Sequence, residues 1–347
     1  KPLQPDEVRS LVRQAGAKKL LGRRVQELEQ SAEGSALARI VGSSPAIRKV
    51  RALIDQIRAS DSNVLITGES GTGKELVARA IHATSRRAKR RFLAFNCASL
   101  HEELLANELF GHERDAFTGA TTARAGLLKA GDGGTVFFDE VGDMSLTMQA
   151  KMLRAVQERE ILRVGGTRPV SVDIRIISAT NKDLERLIGL RSFREDLYYR
   201  LNVIPIRMPA LCERQDDIPL LAMHFLRRVE PTVGKSFEGF SDDAIEPLMR
   251  YRYPGNVREL ENMVERAASL ASGPRIEVGH LPPDLTTMDL QTFRYDGEEV
   301  KTLEELEREY IRWVLRRVGH NKTQAARLLG IDRVSLYRKL KRGEIIE

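Results

Sequence analysis

Apolar side chains recur along this chain in two patterns. From Arg39 to about Pro209, short apolar runs alternate with amphipathic stretches, which predicts a parallel β-sheet covered by helices. The predicted strands are Val64–Thr67, Phe92–Asn96, Thr135–Asp139, Asp173–Ala179 and Val203–Arg207. Beyond Pro209 the strand-like runs stop, and Ile218–Val229, Asp242–Tyr251 and Val257–Ala271 predict helices of a smaller subdomain. Near the start, Val8, Leu11, Val12, Ala15, Leu21, Val25 and Leu28 have helical spacing beside basic residues, a connector helix that breaks at Ser31–Ser35. Pro282, Pro283 and the polar residues to about Glu299 read as a linker. A helix from about Leu303 to Val318 then precedes two short ones, Asn321–Leu329 and Arg333–Leu340, around Gly330-Ile331. That is a helix-turn-helix pattern, with Ala325, Leu328, Leu329, Ile331, Leu336 and Leu340 as its expected core. The expected segments are 1–38 (connector), 39–210 (α/β), 211–285 (helical subdomain), 286–301 (linker) and 302–347 (helix-turn-helix).

Composition sharpens this picture at a few points. The 347 residues suit two or three folded units, and the net charge of +7 suggests a polyanionic partner. Part of the excess is concentrated in residues 321–347, where seven lysines and arginines face three acids, so double-stranded DNA is the expected partner of the last unit. Arg333, Ser335, Tyr337, Arg338 and Lys339 remain outside its apolar set and are the candidate DNA-facing residues. A helical dimerisation cap with a solvated basic face is the alternative. Two distant cysteines, Cys97 and Cys212, without metal-ligand spacing fit a reducing cytoplasm. Without an apolar run of about 18 residues, no membrane partner is expected.

The candidate chemistry begins at Gly68-Glu69-Ser70-Gly71-Thr72-Gly73-Lys74-Glu75, between a predicted strand and a predicted helix. Glycines there let backbone N–H groups converge on phosphates, Lys74 reaches the outer phosphates, and the helix N-terminus adds its dipole. Glu75 stands where a hydroxyl usually meets magnesium, which shifts metal contact onto other carboxylates or water. Asp139 and Glu140, ending the strand Thr135–Asp139, are the available pair: Asp139 for hydrated Mg2+, Glu140 for the attacking water.

These residues resemble the AAA+ ATPases that activate RNA polymerase carrying sigma-54, the NtrC-type enhancer-binding proteins. GESGTGKE, ELFGHE, AFTGA, TVFFDE, RVGG, SATN, FREDLYYRLNV and YPGNVREL occur in that family's order across about residues 38–285. The resemblance implies a P-loop ATPase, a parallel sheet sandwiched by helices with an α-helical lid, using ATP and Mg2+. It implies that Ile40, Val41 and Gly42 hold adenine, that Asn181, with Thr180 beside it, senses the γ-phosphate, and that Asn96 gates Glu140. Arg258 would be the lid-borne sensor. Phe193, Leu197 and Leu201 share one helical face if their segment is helical throughout, so that Arg194 and Arg200 flank it and project toward a neighbouring subunit. The family reading makes them arginine fingers acting within a hexamer or heptamer ring. Tyr253 replaces the family's tryptophan before Pro254-Gly255, a change that keeps ring packing.

The family's remodelling loop, GAFTGA, here reads Asp115-Ala116-Phe117-Thr118-Gly119-Ala120. Phe117, Thr118 and Gly119 would press on sigma-54, with Arg163 of RVGG supporting this hairpin from a second pore loop. Asp115 departs from the family glycine, and a salt bridge from Arg114 or Arg163 is one way to accommodate it. The last segment resembles the Fis-type DNA-binding domain, which implies a dimer on a palindromic enhancer site. Lys1-Pro2 and the following helix resemble the end of a response-regulator receiver domain. The expected protein is thus a bacterial, cytoplasmic activator that opens promoters with sigma-54 polymerase. The alternatives are a nucleotide-binding regulator uncoupled from sigma-54 by Asp115, and a general ATP-driven protein remodeller.

Overall fold

The computed structural model describes residues 36–98, 102–116, 122–283, 285, 302–318 and 321–342. The connector helix expected over residues 7–30 and the linker at 286–301 lie outside the described residues. The chain divides into two compact units at Pro282–Pro283, each described by itself.

The first unit carries a five-stranded sheet: β1 (Val64–Thr67), β2 (Phe92–Asn96), β5 (Thr135–Asp139), β8 (Arg175–Thr180) and β9 (Ile204–Arg207). Its order is β2-β5-β8-β1-β9, parallel throughout. A parallel sheet needs crossovers that cover both faces, so its central strands become apolar on both sides. In β1, Leu65 packs into one core with Val136, Phe138, Ile176 and Leu197, whereas Val64 and Ile66 pack into the other with Phe137, Ile177, Val77 and Ile81. Helix α1 (Pro45–Gln56) and helix α2 (Lys74–Ala83) cover the second face. Helix α3 (Glu102–Phe110), α5 (Leu146–Gln157) and α7 (Glu195–Leu201) cover the first, while α4 (Leu127–Ala130) and α6 (Leu184–Gly189) are single-turn connectors. Two predicted strands start late. Asp173 is spent outside the sheet, accepting from Arg87 and, through its carbonyl, from Gly133 N, and Val203 is 54% exposed before the ladder begins with Ile204 N donating to Asn63 O.

Two hairpins leave this framework. The first is based on β3 (Gly111–His112) and β4 (Arg124–Ala125), the second on β6 (Glu160–Leu162) and β7 (Pro169–Ser171). They are stitched together where Glu113 N donates to Val164 O (3.0 Å) and Val164 N to Gly111 O (2.8 Å). A 3-10 segment, Leu211–Asp217, leads into the lid: α8 (Ile218–Val233), a short parallel pair β10 (Gly239–Phe240) and β11 (Arg275–Ile276), α9 (Asp242–Arg250) and α10 (Asn256–Leu270). Helix α8 runs four residues past its sequence-based end, to Gly234 in the left-handed region, which closes it by donating N–H to Glu230 O.

The second unit consists, in its described part, of α11 (Leu303–Arg317), α12 (Lys322–Leu328) and α13 (Arg333–Arg342). Ile311, Val314 and Leu315 pack with Ala325, Ala326, Leu336 and Leu340. Leu328, expected in this core, is 61% exposed, because Ala325 and Ala326 already fill the inward face of the short α12. Asn321 caps α12 through Thr323 N and Gln324 N, and Asp332 caps α13 through Val334 N and Ser335 N.

Candidate active site

The phosphate loop follows β1 at the point where the sheet order turns back, beside β8, where open α/β sheets place their ligands. Gly73 ends the loop at φ 98° and Gly71 lies at φ 77°; a Cβ on Gly71 would stand 2.2 Å from Gly255 O of the lid. Glycine is thus required there both by the backbone angle and by the close approach. Lys74 opens α2, is nearly buried, and donates through Nζ to Gly68 O (2.9 Å) and Glu69 O (3.3 Å). Thr72 Oγ1 also donates to Glu69 O.

Lys74 Nζ lies 3.4 Å from Glu140 Oε1, while Glu140 Oε2 accepts from Asn181 N at 3.0 Å. The carboxylate expected to handle water is therefore suspended between the phosphate-loop lysine and the end of β8. Glu140 sits at φ 53° just past the strand, and Asp139 Oδ1 accepts from its N–H. Burial, then the charge of Glu140, pushes the Asp139 carboxyl above its usual range. Asn96 is the register partner of Asp139 across β2 and β5, and its Oδ1 accepts from Ala98 N. Thr180, fully buried, accepts through Oγ1 from Lys182 N.

A cavity of about 770 Å³ joins these groups to the lid; Lys74, Asn96, Asp139 and Glu140 line it with Ile40, Val41 and Arg258. Glu75 also borders it, but its carboxylate is taken by Arg79 (2.6 Å), one helical turn on. With Glu140 taken by Lys74 and Asn181 and Glu75 by Arg79, Asp139 is the carboxylate left to this side of the cavity, a donor set that suits a hard cation held by one carboxylate, water and phosphates.

Sequence reasoning missed part of the lid side of this cavity. Arg214, Leu221, His224 and Phe225 line it, and Arg214 Nη2 donates to Thr72 O. Asp217, fully buried, accepts from Ser43 N, Ser44 N and Ser44 Oγ, and it crowds Gly42 so closely that a Cβ there would lie 2.7 Å from Oδ2. Asn256 reaches back to the phosphate loop. None of these stands out by spacing; their partners are up to 187 positions away. Tyr253, 1% exposed, packs edge-on to Tyr251 with 4.9 Å between centroids and donates its hydroxyl to Leu248 O, so the ring packing expected there is present.

Arg194 and Arg200 do not flank a continuous helix. Helix α7 begins at Glu195, and Arg194 is its extended N-cap, with N–H donated to Gln149 Oε1, because Gln149 and Ser192 hold this entry to α5. The Arg194 guanidinium makes a two-pronged pair with Asp196 (3.0 and 2.7 Å) and holds that carboxyl below the usual range. Phe193, Leu197 and Leu201 are buried as the pattern predicts. Both arginines are exposed, and neither lines this chain's own cavity.

Phe117, Thr118 and Gly119 lie outside the described residues. At the approach to them, Asp115 is exposed at φ 64°, the conformation a glycine would supply without strain. Arg114 Nε stands 3.7 Å from Asp115 Oδ2 in a fully solvated pair, whereas Arg163 pairs with Glu113 (3.1 Å) instead, since the second hairpin docks at Glu113. A solvated pair of this kind contributes little. In the last unit Arg333, Tyr337 and Arg338 are exposed on α13, joined by Val334 at 60% exposure, which charge patterning overlooked. Ser335 is half-buried and donates its hydroxyl to Asp332, and Lys339 pairs with Glu307 of α11.

Comparison with known proteins agrees with this architecture. Residues 40–207 match the sigma-54 interaction domain, 212–296 the AAA+ ATPase lid domain, and 302–343 the bacterial regulatory protein, Fis family. The transcriptional regulatory protein ZraR of Salmonella typhimurium is 47% identical over 99% of this chain and 76% of its own length. The regulatory protein AtoC of Escherichia coli is 42% identical over 98% and 76%. Among solved structures, NtrX from Brucella abortus in complex with ADP aligns with a TM-score of 0.69 at 36% identity, over 99% of this chain and 76% of that one. Among the described residues no helix is long and apolar enough to cross a membrane. With an AAA+ fold, its helical lid and a Fis-type helix-turn-helix in one chain, this protein belongs to the sigma-54-dependent, DNA-binding transcriptional regulators.

Proposed function

We propose that this chain hydrolyses ATP in a ring and uses the hairpin bearing Phe117 to remodel sigma-54 polymerase from closed to open promoter complex, while α13 holds it on a palindromic enhancer. The observation that carries this reading is the convergence of Lys74, Asp139 and Glu140 on one cavity, with Glu140 held between Lys74 Nζ and the backbone N–H of Asn181. That NtrX of Brucella abortus was solved with ADP and with ATP supports the choice of nucleotide.

In this reading Ile40, Val41 and Gly42 hold the base, and the backbone N–H groups of Gly68–Gly73 take the phosphates. Lys74 exchanges its contacts with Gly68 O and Glu69 O for outer phosphate oxygens. Glu140 then takes the proton of the attacking water, with Asn181 orienting it from the γ-phosphate side and Asn96 holding it in check. Asp139 would hold Mg2+ through water, and the ion would supply charge neutralisation at the phosphates. Arg194 and Arg200 of a neighbouring subunit stabilise the transition-state charge, and Arg258 reports nucleotide state to the lid. These steps would take place in a bacterial cytoplasm, with part of the protein on DNA.

A second reading, a DNA-bound regulator whose hydrolysis is uncoupled from sigma-54, is favoured by one observation: Asp115 places an exposed carboxylate at a left-handed position two residues before Phe117 in the sequence. ATP-dependent open-complex formation by sigma-54 polymerase, measured for this chain and for Asp115→Gly with hydrolysis in parallel, separates the two. Opening by the parent chain supports the activator. Hydrolysis without opening, rescued by glycine, supports the regulator.

A further inference from the structure

The phosphate loop has two sides. Residues 70–75 line the cavity, and the carbonyls of Ser70, Gly71 and Thr72 accept from the lid side. Arg258 N donates to Gly71 O (3.3 Å) and Arg214 Nη2 to Thr72 O (3.3 Å), both from the lid side. A third tie engages one side chain at three atoms. Asn256, fully buried at the start of α10, donates through Nδ2 to Glu69 Oε2 (2.9 Å) and to Ser70 O (3.1 Å), and accepts through Oδ1 from Leu211 N (2.7 Å). Both amide hydrogens and the amide oxygen are thus engaged, and the partners leave the amide one orientation, because Leu211 N can only donate and Ser70 O only accept. Asn256 also sits at φ 53°, which asparagine tolerates better than most residues.

We propose that Asn256, with Glu69 as its partner, is a positioning residue for nucleotide: it clamps the phosphate loop to the lid in the shape that accepts phosphate. This rests on the reading of the cavity as a nucleotide site. The clamp also reaches the base side, since Leu211 begins the 3-10 segment whose last residue, Asp217, holds Ser43 and Ser44 beside Gly42. The Asn256 amide therefore bonds the phosphate loop to the segment that holds the base side, alongside the Arg214 bond to Thr72 O. No other side chain offers two donors and an acceptor at that length; aspartate in its place would set one carboxylate against another.

The test uses the full chain and ADP carrying a fluorescent ribose label, with KM and kcat for ATP and thermal melts of each variant. Asn256→Gly keeps the left-handed backbone and removes the clamp; it should weaken labelled ADP about tenfold and raise KM for ATP more than it lowers kcat. Asn256→Asp should be worse, and adding Glu69→Gln to it should recover about tenfold, because the new amide donates to the new carboxylate. Failure of Glu69→Gln to rescue Asn256→Asp overturns the clamp, as does Asn256→Gly that melts earlier yet binds like the parent below its transition. Should the parent itself not bind ADP, the nucleotide reading fails instead. The clamp is then judged by whether the two substitutions couple in melting temperature, and simple additivity would refute it.

Discussion

Asp139 illustrates how far one residue's chemistry depends on its surroundings. Its carboxyl is raised by burial first and by Glu140 second, so it holds a proton to higher pH in the folded than in the unfolded chain. A raised carboxyl contributes stability that is present below the unfolded value and lost as pH rises through the folded one. Asp139→Asn should therefore melt higher than the parent at neutral pH, with the gain shrinking as pH falls through the raised folded value and gone at the ordinary carboxylate value, while ATP turnover is lost. Calorimetry against pH decides this, and a substitution that lowers melting temperature at neutral pH would rule out the cost of burying the charged carboxylate. Cys97, beside it, has its thiol pushed up by burial and serves as packing.

Among elements, the junction between sheet and lid depends on Asp217. One carboxylate there accepts two backbone N–H groups and a hydroxyl from the segment that enters α1. Asp217→Ala would leave the two buried Ser44 donors and the part-buried Ser43 N–H without this acceptor, at about 3 kcal/mol. It should also raise KM for ATP, because Gly42 loses the wall that holds it; denaturant titration together with steady-state kinetics measures both effects. Asp217→Asn, which keeps an acceptor, should lose less than half of that. The two hairpins share such an interlock, for Gly165 approaches Ala116 so closely that a Cβ would lie 2.7 Å from the alanine Cβ.

At the scale of the whole molecule, the proposed ring would share each catalytic unit between chains, with Arg194 and Arg200, exposed and outside their own chain's cavity, serving the neighbour. Arg200→Ala and Glu140→Gln should each abolish hydrolysis alone, whereas a mixture should regain on the order of a quarter of parental activity at equal amounts, since an Arg200→Ala chain keeps its own Glu140 and borrows an arginine from its neighbour. Hydrolysis assayed across mixing ratios tests this, and a mixture as inactive as its components would place the arginine's role within one chain. Activity per chain should also rise with protein concentration as rings assemble.

The periodicity of apolar residues determined the strands, because a buried strand between two helical layers has few alternatives to an unbroken apolar run, and the glycines and acids around the phosphates were legible because phosphate chemistry restricts residue type at fixed spacing. The helix-turn-helix could be read for the same reason, its core recurring at short range. Tertiary structure alone decided the rest. Arg194 became an N-cap rather than a helical residue because Gln149, 45 positions earlier, takes its N–H. Leu328 was released to solvent because two alanines sufficed for the core of a short helix. Asp217 and Asn256 acquired their tasks only when folding brought the lid onto loops 173 and 187 residues away. A hydrogen bond across that separation leaves no period in the chain, since it depends on where two backbones meet and not on what lies beside each residue in order.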